Sequence, residues 1–186
     1  MRRSTDQFEA LARRTAPQLL GYATRRVEQR ADAADVVAEV FLIAWRRVES
    51  IPTSDEDAIR WLYGVARRVV ANQRRGKLRR HALAERLRGQ LAASGPQDPV
   101  GLDPVHEAFA ALPEADREIL ALHAWEGLSA SEAAEVLGIR SAAARKRLER
   151  ARRRIAAALA DAPDGPTSDR ERILERGEDV VGTGRA

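Results

Sequence analysis

Two runs of cationic side chains carry most of the chemistry open to this sequence. Between Arg67 and Arg80 stand Arg67, Arg68, Arg74, Arg75, Lys77, Arg79 and Arg80, with no acid among them. Between Arg145 and Arg154 stand Arg145, Lys146, Arg147, Arg150, Arg152, Arg153 and Arg154, against Glu149 alone. Such density suits a polyanion. A guanidinium takes two phosphate oxygens, or O6 and N7 of a guanine, in one planar fork. All but two of the 32 basic residues are Arg; codon bias explains that preference equally well. The net charge is only +4, so the clustering matters more than the sum.

Other chemistries find little support. With no Cys there is no thiolate site or disulfide frame. His81, His106 and His123 are scattered. No nucleophile–base arrangement or phosphate-cradling Gly loop is visible, so no catalytic residue, metal or cofactor is expected. No apolar run is long enough for membrane insertion, and a cytoplasmic location is expected.

The residues that position these cations read as helix. Apolar residues make up 44% of the 186, Ala is abundant and β-branched residues are sparse. The expected fold is all-α: two small helical domains joined by a flexible linker, the second a helix-turn-helix. The boundaries are 1–88, a linker at 89–104 with three Pro and three Gly, 105–160, and a polar tail at 161–186. In the first domain Phe8, Leu11, Leu19, Leu20, Ala23 and Val27 recur at helical spacing, with a bend or break at Pro17. A second helix starts near Ala31 with Asp32 as cap and runs to Glu49. After a loop at 51–55, a third runs from Glu56 to Arg75, with basic helix or coil continuing to Arg88.

In the second domain, helices are expected at 105–112 and 114–125. Ser129 and Glu132 form a capping box, and Gly138 ends that helix in a left-handed cap. Ser141 caps the last helix, whose stripe Ala144, Leu148, Ala151 and Ile155 faces inward. Helix, tight turn, helix is the pattern that lays a helix in the DNA major groove. Ala142, Ala143, Arg145, Lys146, Arg147, Arg150 and Arg153 would meet DNA, the early positions at base edges and the later ones at phosphates. The plainer alternative is a solvated charged helix, but acidic partners within it are nearly missing.

Two first-domain helices present unusual outer faces. In 35–49, Val37, Val40, Phe41, Ala44, Trp45 and Val48 form an inner face. Asp35, Glu39 and Arg46 lie opposite, with Leu42 among them, as in a partner surface with an apolar centre and polar rim. An ordinary exposed Leu is the equal alternative. In 56–75, Leu62, Val65, Ala66 and Val69 form the inner stripe. Arg60, Arg67, Arg68, Arg74 and Arg75 surround Gly64 and Ala71, small residues that would let a phosphate backbone approach. Trp61 or Tyr63 could stack on an unpaired base, although core packing is the commoner role for Trp61.

Together these stretches resemble a known family. Residues 32–47, DAADVVAEVFLIAWRR, are similar to the polymerase-binding helix of bacterial sigma factors. Residues 61–80, WLYGVARRVVANQRRGKLRR, resemble the segment that binds and melts the −10 element. Residues 112–155 resemble the module that reads the −35 element. Their order resembles the extracytoplasmic-function (ECF) subgroup. The resemblance implies that Asp35, Glu39, Leu42 and Arg46 contact core RNA polymerase, and that the loop 51–57 captures a flipped base. It implies that Arg68 and Asn72 lie on the helix that recognises the −10 element of promoter DNA, and Arg60, Trp61, Arg67 and Arg75, from the face read above, are expected to serve the same element. Arg68 stands where the family often has Asn, and Ala142-Ala143 where it usually has Gly-Thr. An anti-sigma factor is a further partner the resemblance implies. A stand-alone helix-turn-helix regulator and a helical adaptor that binds only protein remain alternatives.

Overall fold

The computed structural model describes residues 5–88 and 104–160, and the described residues are helical with no strand. The chain divides into two compact units, Met1–Pro96 and Gln97–Ala186. The expected linker and tail lie outside the described residues, except that Pro104 opens a helix.

The first unit holds α1 (Thr5–Thr24), α2 (Arg30–Arg46) and α3 (Asp55–Arg88), with a 3-10 turn at Val48–Ser50. α1 does not break at Pro17. Proline removes one backbone donor, but Leu11, Thr15, Leu19, Tyr22 and Ala23 are buried on both sides of it and hold the two halves in line. Leu20, expected inside, is 45% exposed.

The inner face of α2 also differs in phase from the expectation. It is Ala33, Val36, Val40 and Ala44. Val37 and Phe41 are half-buried, and Trp45 is exposed. α1 meets α2 through an edge-on Phe8–Trp45 contact at 5.1 Å, which holds the outward-leaning indole. Asp32 does not cap α2. The N-cap is Gln29, without a side-chain bond, while Asp32 accepts from Lys77 Nζ at 2.7 Å. α2 stops at Arg46, short of Glu49.

α3 begins one residue before its expected start. The Ser54 hydroxyl accepts from the Asp57 N–H at 3.2 Å, and Asp55, Glu56 and Asp57 place negative charge at the positive end of the helix dipole. Ala58, Leu62, Tyr63, Val65, Ala66, Val69 and Val70 are buried. Arg14 ties α1 to Asp55 at 2.7 Å. Arg74 donates to the Arg26 carbonyl at 2.9 Å, so it fastens α3 rather than standing free.

The second unit holds α4 (Pro104–Ala110), α5 (Glu114–Ala124), α6 (Ala130–Leu137) and α7 (Ser141–Ala160). α7 packs on the other three. Its expected stripe is buried at Ala144, Leu148, Ala151 and Ile155, and Leu159 extends it. The capping box is present in both directions: Glu132 N–H to the Ser129 hydroxyl at 3.2 Å and Ser129 N–H to the Glu132 carboxylate at 2.8 Å. Ser141 is the first residue of α7 rather than its cap.

Gly138 ends α6 at φ +67°, ψ +38°. A Cβ there would meet nothing within 4 Å, so its cost is conformational alone. Gly138→Ala is therefore expected to destabilise this unit by about 1 kcal/mol, and Gly138→Asn by less. Thermal melting of the two variants checks the order.

Candidate nucleic-acid interface

The α3 surface is assembled from one sequence-local run. Arg67, Arg68, Asn72 and Arg75 are exposed on the side away from the buried stripe, and Arg60 and Trp61, on the same side, are half-buried. Arg67 and Arg68 are exposed, and among the described residues neither has a hydrogen bond or ion pair. Arg60 is held by Asp57, and Arg75 donates to the Asn72 side-chain oxygen, so these two are oriented rather than free. Tyr63 is removed from the set of stacking aromatics. It is 3% exposed and lies 5.3 Å from the Tyr22 ring. Trp61 is half-buried and keeps an edge at the surface.

Lys77 marks where this surface meets α2. Its hydrogen bond to Asp32, and then the more distant Glu28, hold its ammonium above the usual lysine value.

On α7 the cations separate into two groups. Arg145 and Lys146 are exposed and Arg147 half-buried. None of the three has a hydrogen bond or ion pair among the described residues. The C-terminal group is engaged. Arg150 donates to both Asp116 oxygens, from Nε and Nη2, at 3.0 Å each. Arg154 donates to the same carboxylate at 2.6 Å, Arg152 meets His123 at 2.6 Å, and Arg153 pairs loosely with Glu149 at 3.4 Å. The expectation of an unneutralised helix thus holds for its first two turns. Farther along, neutralisation comes from α5. Arg150 is turned toward α5, which makes it a brace for α7.

Asp116 is the residue that sequence reasoning missed. It is 2% exposed, and an unpaired carboxylate would not survive such burial. The Arg150 fork holds its carboxyl below the usual carboxylate range. Burial opposes this, and Arg154 and Arg147 add to the lowering. Arg150 is raised in return. An acid in the first turn of a helix, where Glu114 also stands, reads as a dipole partner; only its position opposite α7 shows the brace. Burial also lowers Arg152 from the ordinary guanidinium value.

The expected partner surface lies on α2. Asp35, Glu39, Leu42 and Arg46 are all exposed, and Leu42 is 49% and Trp45 45% exposed. These two lie three residues apart on one side of the helix. Trp45 therefore leaves the inner face expected for it and joins Leu42. In the other unit, Phe109 and Trp125 meet edge-on at 4.8 Å.

No helix among the described residues is long and apolar enough to cross a membrane. No group of three potential metal ligands occurs among them.

Known proteins are similar to this chain. Residues 11–80 match the family described as sigma-70 region 2, and residues 102–155 match sigma-70 region 4. The ECF RNA polymerase sigma factor SigL of Mycobacterium tuberculosis is 30% identical over 145 residues, covering 76% of this chain and 82% of the relative. The probable RNA polymerase sigma factor RfaY of Xanthomonas campestris is 31% identical over 133 residues, 66% of this chain and 32% of that longer protein. Among solved structures, CnrH in complex with the cytosolic domain of CnrY superposes with a TM-score of 0.59. The identity is 24%, covering 86% of this chain and 92% of that one. RpoE in complex with the anti-sigma factor NepR from Bartonella quintana gives 0.57 and 21%, covering 85% and 97%. These two likenesses establish the fold.

Proposed function

The chain belongs to the RNA polymerase sigma factors of the sigma-70 family, in the ECF group, and from that premise we propose how its two cationic helices and its α2 surface divide the work. As a sigma factor it directs RNA polymerase to promoters in transcription initiation. The observation that carries the division is the pairing of both matched regions with unneutralised cations: Arg67 and Arg68 on α3, Arg145 and Lys146 on α7.

In this reading core RNA polymerase docks on α2 through Leu42 and Trp45, rimmed by Asp35, Glu39 and Arg46. The −10 element lies along α3. Arg67 and Arg68 hold its backbone, and Asn72, oriented by Arg75, meets bases. Trp61 offers a stacking edge beside an unpaired base, with Arg60 steadied by Asp57. Stacking a released base offsets a few kcal/mol of unpairing. The −35 element meets the start of α7. Ala142 and Ala143 can touch only apolar groups such as a thymine methyl, so Arg145, Lys146 and Arg147 supply the polar contacts. Arg153 reaches phosphate by giving up its loose pair with Glu149. Arg150 acts from its brace on Asp116, setting the depth of the helix. The linker 89–104 lets the domains 1–88 and 105–160 reach both elements. The chain catalyses no reaction itself and works in the cytoplasm. A protein antagonist of the anti-sigma class belongs to the same reading, since the fold is shared with RpoE, solved with NepR.

The test is transcription from a promoter library with core polymerase plus this chain. Specific start sites are expected. Unspecific initiation, together with tight operator binding by the chain alone, would make it a stand-alone regulator. A finer measurement separates free from engaged cations. Arg145→Ala and Lys146→Ala should each lower the salt slope of promoter binding by about one unit. Arg154→Ala should leave the slope unchanged. A slope that drops equally for all three would refute the division of α7.

A further inference from the structure

We propose that His123 is a positioning residue for promoter reading: its neutral imidazole, protonated on Nδ1, fastens α7 to the α5–α6 turn through Arg152. The proposal rests on the sigma-factor reading for its consequence, but its geometry stands independently.

His123 lies in the last turn of α5. Its Nδ1 is 2.7 Å from the Leu128 carbonyl oxygen, and its Nε2 is 2.6 Å from Arg152 Nη2. Arginine keeps its proton, so Nη2 must donate and Nε2 must accept. A carbonyl only accepts, so Nδ1 must carry the ring proton. Both contacts are satisfied by one species, the neutral Nδ1–H tautomer. The turn it grips is tied back a second time, because the Leu128 N–H donates to the Leu122 carbonyl at 3.1 Å. Leu128 directly precedes Ser129, the cap of α6. One imidazole therefore joins α5, the entry to α6, and α7.

This clamp complements the Asp116 brace. Asp116 sits in the first turn of α5 and His123 in the last, roughly 10 Å apart along the axis. Arg150 and Arg154 leave α7 on one flank of its buried stripe, and Arg152 leaves on the other. Attachment at a single point would let α7 swivel; two points fix its angle. Arg145, Lys146 and Arg147 lie five to seven residues before Arg152, so a 10° swivel about that end would move them by roughly 1–2 Å. Side chains reading base edges need placement finer than that.

The test uses the full chain, alone and with core polymerase. Glutamine at position 123 can present an acceptor where Nε2 stands; asparagine can present only a donor where Nδ1 stands. His123→Asn and His123→Phe should weaken holoenzyme binding to a promoter by roughly tenfold, and His123→Gln should restore most of it. Nitrogen-15 spectra of the free chain should show protonated Nδ1 and bare Nε2 at His123, and Arg152→Ala should shift the Nε2 signal to that of a bare nitrogen without a protein donor while the Leu128 carbonyl keeps the proton on Nδ1. Equal promoter affinity for all three His123 variants, or a wild-type ring protonated on Nε2, would overturn the proposal. A wild-type holoenzyme without promoter selectivity would sink the functional reading instead, leaving the tautomer to decide the clamp.

Discussion

Leu42→Asp is expected to weaken the affinity of the chain for core RNA polymerase by roughly thirtyfold or more, with helix content unchanged. Leu42 is 49% exposed and absent from the buried stripe of α2, so a carboxylate there stays hydrated in the free chain and costs the fold little. In the complex the same carboxylate must be stripped of water at the centre of an apolar contact, which is far costlier than losing the leucine. Leu42→Ala, which only deletes contact, should lose less. Trp45→Ala should resemble Leu42→Ala, because the indole is presented by Phe8 from α1. Affinity titration with labelled core polymerase, alongside circular dichroism, measures both. Unimpaired binding by Leu42→Asp would remove α2 as the docking surface.

Asp116→Ala should cost the C-terminal unit about 2 kcal/mol, seen as a fall in melting temperature of roughly 10 °C. Replacing both Arg150 and Arg154 by Ala should lower it further. The asymmetry follows from exposure. The two arginines have side chains about half exposed, whereas that of Asp116 is 3% exposed. Without the acid, the arginines turn to water; without the arginines, the acid is left buried and unpaired. The pH dependence has a definite sign. The folded carboxyl lies below its ordinary value of 3.8, so its stabilisation is fully present above that value and is lost as pH falls through the lower folded one. Acid unfolding of Asp116→Ala should therefore be shallower below pH 4 than that of the parent. Calorimetry across pH reads both effects. If Asp116→Ala proves more damaging than the double arginine variant, the brace is misassigned.

What was legible in the sequence was local. The stripe of α7, the Ser129–Glu132 box and the Gly138 cap each depend on residues within a turn or two, where spacing alone determines the neighbour. The exposure of Leu42 on α2 was also recognisable, because it stands among charges. The failures share a cause. Trp45 was misplaced, and Val36 left out of the inner face, because a short amphipathic helix rich in Val and Ala tolerates a small rotation of its pattern, and only packing against α1 and α3 selects the phase. Tyr63 was offered to a base because its partner, Tyr22, lies on a different helix. The arginines of α7 were counted as equally free because the acid that engages two of them is 34 and 38 residues away. A net-charge argument confined to one helix cannot detect a neighbour that arrives through the fold.

The split of α7 between braced and unbraced cations has a consequence for variation. The side chains that anchor the helix, Arg150, Arg152 and Arg154, share no position with those left outward at 142, 145 and 146. Residues other than Gly and Pro should exchange at these positions with little cost in stability, since Ala142, Arg145 and Lys146 are exposed and their side chains make no bond inside the unit. On the proposed reading, promoter preference is then rewritten on a mounting that does not change, and a library varied at those three positions among residues other than Gly and Pro should fold almost uniformly while sorting into many DNA specificities.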